Sequence, residues 1–272
     1  LNELQRNEDF LLSYMAHAPW ALAFERALEC QIYTRLSLRR PVLDLGCGEG
    51  LFAKVFFAEQ IETGVDPNPK ELARARVLGA HFELIECPGD RVPKPDASYN
   101  TIFSNSVLEH IPILEPVFRE VHRLLAPGGR FYFTVPSDRF NQYTVVNQLL
   151  GAIGLHGLAA RYRKAYDAFW GHYHAYPEEE WTGLGRRCGF EIVRSHTYDP
   201  KWTCLLNDLL VPLSAPMFLL KRLANRWTLF PPFRRLMVYP FFLLARRILS
   251  GCDMTSEGGL VFVALAKPGV GQ

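Results

Sequence analysis

The segment at 41–50, PVLDLGCGEG, restricts what this chain can fold into more than any other. An apolar run ends in Asp44, and Gly46, Gly48 and Gly50 follow at alternate positions. Glycine enters the φ > 0 region without steric cost and lets a backbone lie directly against a ligand. The pattern therefore predicts a buried strand, a tight turn and the start of a helix. That order builds the nucleotide crevice of a doubly wound α/β sheet.

The chain around it keeps an α/β rhythm. Strands are predicted at 42–45, 61–65, 82–87, 99–104, 130–135, 191–197 and 259–266, and helices at 51–58, 69–78, 114–125 and 177–188. Alternation at this spacing implies βαβ units and a mostly parallel sheet. Before the first strand, 9–36 is helical in period, and Pro19 splits it in two. Segment 138–176 breaks the rhythm as two helices rich in aromatic residues. Segment 201–250 is different again. It holds eight basic residues against the single acid Asp208, with apolar blocks between them and prolines at 212, 216, 231, 232 and 240. The prolines predict short helices, each too short or too interrupted to span a bilayer.

Composition excludes several classes. A net charge of +2 over 272 residues gives no electrostatic footprint for nucleic acid. The six cysteines form no CxxC pair and no Cys/His zinc spacing, so neither a disulfide framework nor a metal is expected. No apolar leader is visible in the first thirty residues, and a cytoplasmic protein is the expectation.

Asp44 and Asp66 identify the nucleotide. Asp66 closes the second strand, where a carboxylate can accept both hydroxyls of a ribose. Gly48-Glu49-Gly50-Leu51-Phe52-Ala53 also satisfies the dinucleotide fingerprint G-x-G-x-x-A, so an NAD(P)-dependent oxidoreductase is the rival. Asp44 directly before the turn would sit poorly beside a pyrophosphate, and Leu51-Phe52 is bulky for close phosphate approach. Both favour S-adenosylmethionine (SAM).

The motifs VLDLGCGEG (42–50), GVDPNPKELARAR (64–76), PDASYNTIFSNSVLEHI (95–111), EVHRLLAPGGRFYFTVPS (120–137) and CGFEIV (188–193) make the resemblance specific. The chain resembles a class I SAM-dependent methyltransferase of the small-molecule, ubiquinone-methyltransferase-like branch, over about 40–200 plus the last strand. The resemblance implies a Rossmann-like seven-stranded sheet with an antiparallel last strand. It implies that Asp44, Gly46, Cys47, Gly48 and Gly50 line the methionine end of SAM. Asp66 would hold the ribose, with Pro67 and Asn68 beside the adenine. Ser104 and Asn105 would face the methionine and methyl group, and Glu109-His110 would open the loop over the site. One position departs. Pro88 stands where relatives carry an aspartate near the adenine, which leaves the Cys87 or Gly89 backbone, or Asp90, to make that contact.

For methyl transfer to a hydroxyl, a histidine base helps. The candidates are His110, His172 and His174, with Tyr173 as a positioner. The two histidines at 172 and 174 have no obvious carboxylate partner, so no metal is expected. The predicted organisation is an N-terminal helical lid (1–40), a SAM-binding domain (41–200 plus 256–272) carrying a helical substrate lid (138–176), and an apolar, basic insertion (201–255). The aromatic residues of the N-terminal helices could equally pack in the core. The expected acceptor is a small or lipid-like molecule, and S-adenosylhomocysteine (SAH) the product. The insertion fits peripheral membrane contact, with a cap on the sheet or a homodimer interface as the other reading. Against catalysis stands a non-catalytic SAM-binding module that recruits a partner through that insertion.

Overall fold

The computed structural model describes residues 4–7, 10–224, 226–250 and 257–269. Its centre is a seven-stranded sheet with strands β1 (Val42–Leu45), β2 (Ile61–Asp66), β3 (His81–Glu86), β4 (Tyr99–Asn105), β5 (Leu125–Pro136), β6 (Glu191–Pro200) and β7 (Gly258–Ala266). They lie in the order β3-β2-β1-β4-β5-β7-β6. Strands β1 to β5 pair in parallel, and β7 runs antiparallel between β5 and β6. This is the predicted sheet. The order reverses beside β1, and such a switch point opens a crevice at the carboxyl ends of β1 and β4.

Ten helices accompany it among the described residues: α1 (Phe10–His17), α2 (Trp20–Tyr33), α3 (Leu51–Phe56), α4 (Pro69–Leu78), α5 (Leu114–Leu124), α6 (Val145–Ala152), α7 (His156–Trp170), α8 (Glu178–Arg187), α9 (Lys201–Ala224) and α10 (Pro231–Ser250). Side chains alternate across a strand, so the sheet buries two cores. Val42, Ile61, Phe103, Tyr132 and Phe262 face α1, α2, α3 and α10. Leu43, Ile102, Phe131, Phe133, Val263 and Leu265 face α5 and α8, where Trp181 is fully buried.

Two expectations meet the fold differently. Tyr14 and Phe24 of the N-terminal helices are buried in the first core, with Phe10 and Trp20 packed against it. That aromatic face therefore serves the core; only the opposite edge of α2 reaches the site. The insertion forms two long helices, not several short ones: α9 carries Pro212 and Pro216 inside it, and α10 carries Pro240. An internal proline removes one hydrogen bond and bends a helix. Over 24 residues the remaining bonds hold the helix together. By length and composition α9 could cross a membrane, contrary to the sequence reading, and only 17% of its most apolar stretch is buried.

Candidate active site

The turn after β1 is held by its own backbone. Gly46 and Cys47 both donate to the Val65 carbonyl at 2.9 Å, and Gly50 donates to Cys47. Gly46, Gly48 and Gly50 have φ of 77°, 52° and 78°. At Gly46 a Cβ would lie 2.3 Å from a Val107 methyl, so glycine is required twice over, for its φ and for the approach of Val107. Above Gly48 a Cβ would meet nothing within 4 Å, which is the open space a ligand needs.

Asp66 clasps this turn from β2. One carboxylate oxygen accepts from Gly48 N–H at 3.0 Å and the other from Asn68 N–H at 2.8 Å. Each keeps a further lone pair for a ligand hydroxyl. Partial burial raises its pKa, and these two bonds oppose that rise. Pro67 and Asn68 are exposed at the mouth, and Asn68 caps α4. Asp44 is buried and bonded to His81 at 3.0 Å; its pKa is raised by burial, with the bond opposing. A Cβ on Gly64 would stand 2.8 Å from the His81 ring, so the glycine in mid-strand makes room for this pair. Cys87 is buried beside the crevice, while Pro88 is exposed.

Ser104 and Asn105 point to opposite faces of β4. Ser104 is fully buried and donates to the Leu45 carbonyl at 2.9 Å, so its hydroxyl ties β4 to β1 rather than meeting a ligand. Asn105 accepts from the Tyr33 hydroxyl at 2.5 Å and keeps a buried, unpartnered amide nitrogen.

Next to the crevice lies a pocket of about 280 Å³. Phe140, Tyr143, Tyr166, Trp170, Phe218 and Trp227 form much of its wall, and its polar lining includes Glu25, Arg26, Ser106, Glu109, His110, His172 and Asp199. Arg26 reaches both carboxylate oxygens of the fully buried Glu29, at 2.7 and 2.6 Å, and the Ser106 hydroxyl at 2.9 Å. Thr134 donates to the same glutamate at 2.9 Å. A buried ion pair needs this many partners. Glu25 lies 3.9 Å from Arg26 and its pKa is raised toward neutrality by burial, with Arg26 opposing. Burial pushes Glu109 up to about 8 and Asp199 up to about 6, and it pulls His172 down to about 4 with help from His110. Ser106 and Asp199 hold φ of 50° and 62°, rare for residues with side chains. Such strain gathers at functional sites.

Of the four predicted catalytic residues, His110 and His172 line this pocket. His174 and Tyr173 do not. His174 bonds the Ile111 carbonyl at 3.0 Å and lies tilted against the Tyr176 ring, and the Tyr173 ring is exposed. The chain after α7 is irregular from Gly171 onward, with φ 71° there, so residues two apart do not share a face as they would on a strand. Glu25, Arg26, Glu29 and Asp199 were missed by the sequence reading; the available signal was three charges, Glu25, Arg26 and Glu29, in the otherwise largely apolar α2.

The insertion closes on the glycine turn. Trp227 N–H donates to Glu49 at 2.6 Å, and the Lys221 ammonium sits 4.1 Å from the Trp227 ring centre. Arg74 of α4 pairs with the same Glu49 at 3.2 Å.

A methyltransferase domain family matches residues 15–195, and the chain belongs to it. That class uses SAM, as the motifs implied, and the oxidoreductase reading is set aside. Among curated relatives, a ubiquinone biosynthesis O-methyltransferase of Vibrio atlanticus is 30% identical over 38% of this chain and 46% of its own. A ubiquinone/menaquinone biosynthesis C-methyltransferase of Rubrivivax gelatinosus is 26% identical over 68% of this chain and 74% of its own. The match spans between about a third and a half of the first curated relatives, 36% and 46% of their lengths. A SAM-dependent methyltransferase of Thermotoga maritima has the same fold, at TM-score 0.56 and 15% identity over 91% of each chain.

Proposed function

We propose that this chain binds SAM over the glycine turn and methylates an apolar, lipid-like small molecule that reacts through a polar head, leaving SAH. The observation that carries this reading is the pocket beside the turn, aromatic along its walls and acidic where it meets Ser106 and Glu109. SAM, when bound, supplies an electrophilic methyl group, so the protein has mainly to align the acceptor and exclude water. Asp66 would take the ribose hydroxyls and the Asn105 amide nitrogen would donate to the amino-acid end. Phe140, Tyr166 and Trp170 would exclude water. Glu25, raised toward neutrality, has the proton affinity to accept a proton from an acceptor hydroxyl. Relatives named for ubiquinone and sterol methylation support an apolar acceptor.

The acceptor's route is part of the proposal. Helices α9 and α10 and the link between them present exposed Leu213, Leu223, Phe230, Phe233, Leu236 and Leu244 among eight basic residues. Apolar side chains flanked by cations suit an anionic membrane surface, where each Lys or Arg contributes about 1 kcal/mol. A protein peripheral to the membrane and drawing its acceptor from the lipid is the reading these helices support. Sedimentation with vesicles containing phosphatidylserine should retain the protein at low salt and release it at high salt; failure to bind at low salt contradicts this route.

Calorimetric titration tests the donor. SAH should bind and NADH should not. Absence of SAH binding by the folded protein, or equal binding of NADH, would overturn the assignment. Turnover on any acceptor would dispose of the non-catalytic alternative.

A further inference from the structure

The structure supplies the carboxylate that the sequence reading lacked beside its histidines. Glu109, His110 and His172 offer ligand atoms that all lie within 4.8 Å of one another, and all three residues line the pocket. We propose that they form a binding site for one divalent first-row transition-metal ion, through two imidazoles and one carboxylate.

Three observations carry this. First, Glu109 is 1% exposed, and its Oε2 has no hydrogen-bond partner. A buried carboxylate oxygen without a partner is costly, and a cation relieves that cost. Second, the histidines are set up as ligands. His110 directs Nδ1 at the Gly171 carbonyl at 3.1 Å, which assigns the proton to Nδ1 and leaves the Nε2 lone pair free. Backbone carbonyls orient metal-binding imidazoles in this way. The buried Nδ1 of His172 has no partner. Third, the scaffold is tied together without an ion. The Tyr173 N–H donates to the Glu109 carbonyl at 2.8 Å, and His172 N–H donates to Asp167 at 2.9 Å. The short turn Leu108–His110 and the segment past α7 are thus joined on both sides of the cluster.

Bonds of about 2.1 Å at near-tetrahedral angles set donors about 3.4 Å apart, so the side chains would close on the ion by up to about 1.4 Å. Two imidazoles with one carboxylate suit manganese, iron, cobalt or zinc over magnesium or calcium, which prefer oxygen alone. Three protein ligands leave positions open toward the pocket. There the ion would bind the acceptor's hydroxyl oxygen and lower its pKa. The hydroxyl proton would pass to Glu25. The new oxygen–methyl bond would form as the sulfur–methyl bond breaks, with that electron pair staying on sulfur. This use rests on the methyltransferase reading; ion binding does not, and it is read without any methyl donor.

The test is equilibrium dialysis of the full chain against Co²⁺, with metal content and visible spectrum recorded, followed by displacement with Mn²⁺ and Zn²⁺. The expected result is one ion per chain with a spectrum of nitrogen and oxygen ligation. Affinity should fall at least about tenfold in both His172→Ala and Glu109→Gln, and stay unchanged in His156→Ala. Unfolding curves establish that each variant is folded. No uptake by the wild-type chain overturns the site. So does a thiolate charge-transfer band, which would assign the ion to a cysteine, or undiminished uptake by a folded His110→Ala/His172→Ala chain. The spectral arm needs no variant, so the proposal is testable even if a substitution fails to fold.

Discussion

Between Val42 and Asn105 the crevice is assembled from one run of chain, and its polar groups are fixed by backbone bonds: Gly46 and Cys47 on Val65, Asp66 on Gly48 and Asn68. The pocket beside it draws on residues from Pro19 to Leu260 and is fixed by side chains, with Arg26 and Glu29 bridging α2, β5 and the end of β4. The crevice thus serves one unchanging ligand through local geometry. The pocket can be altered by substitution at many scattered positions without touching the crevice. That is how a single fold keeps one donor and serves many acceptors.

Substitutions should separate the two regions. The largest effect is expected on the pocket side. Glu25→Gln should lower methyl transfer to a hydroxyl acceptor by about 10²–10⁴-fold while leaving SAH affinity unchanged in calorimetry; a parallel loss of SAH binding would mean that the regions are not separable. Next, Gly46→Ala forces a Cβ against Val107 in a left-handed backbone. It should cost about 3 kcal/mol in urea unfolding and abolish measurable SAH binding. Asp66→Ala removes two charge-assisted bonds, about 1.5–3 kcal/mol each. SAH affinity should drop about 10- to 100-fold, with the pocket's cobalt binding intact.

The smallest effect is a change in pH dependence. Asp199 has its folded pKa raised from 3.8 to about 6 by burial. The folded state therefore holds this proton more tightly than the unfolded chain. The resulting stability is full below the unfolded value and is lost as pH rises through about 6. Asp199→Asn keeps an acceptor for Thr203 and tolerates the positive φ. Its melting temperature should decline less than the wild type's between pH 4 and pH 6, by a few degrees. Equal slopes would place the shifted carboxyl elsewhere.

What the sequence made legible follows the same division. Strand positions and the glycine turn were readable because alternation, glycine and helix-capping signals act within a few residues, whereas the antiparallel last strand was legible only through the family resemblance. Helix α4 was placed at 69–78, where Asn68 caps it and Gly79 ends it. The continuity of α9 and α10 was not readable: a proline announces a lost bond but not whether neighbouring turns hold. Ser104 and Asn105 could be placed on β4, but not the face that each takes. The pocket's charges were least legible. Nothing in the sequence marks Glu25 as part of a pocket or Glu109 as buried; Glu109 is closed in where the segment past α7 meets the turn at 108–110. The cluster of Glu109, His110 and His172 joins residues about sixty positions apart through a carbonyl that no pattern announces.

In the proposed complex, donor and acceptor meet where the glycine turn adjoins the pocket. A crystal structure of the SAH complex tests it most directly. The ribose hydroxyls should lie on Asp66, with the sulfur facing the pocket beside Ser106 and Glu109. SAH bound elsewhere, or a sulfur walled off from that pocket, would contradict it.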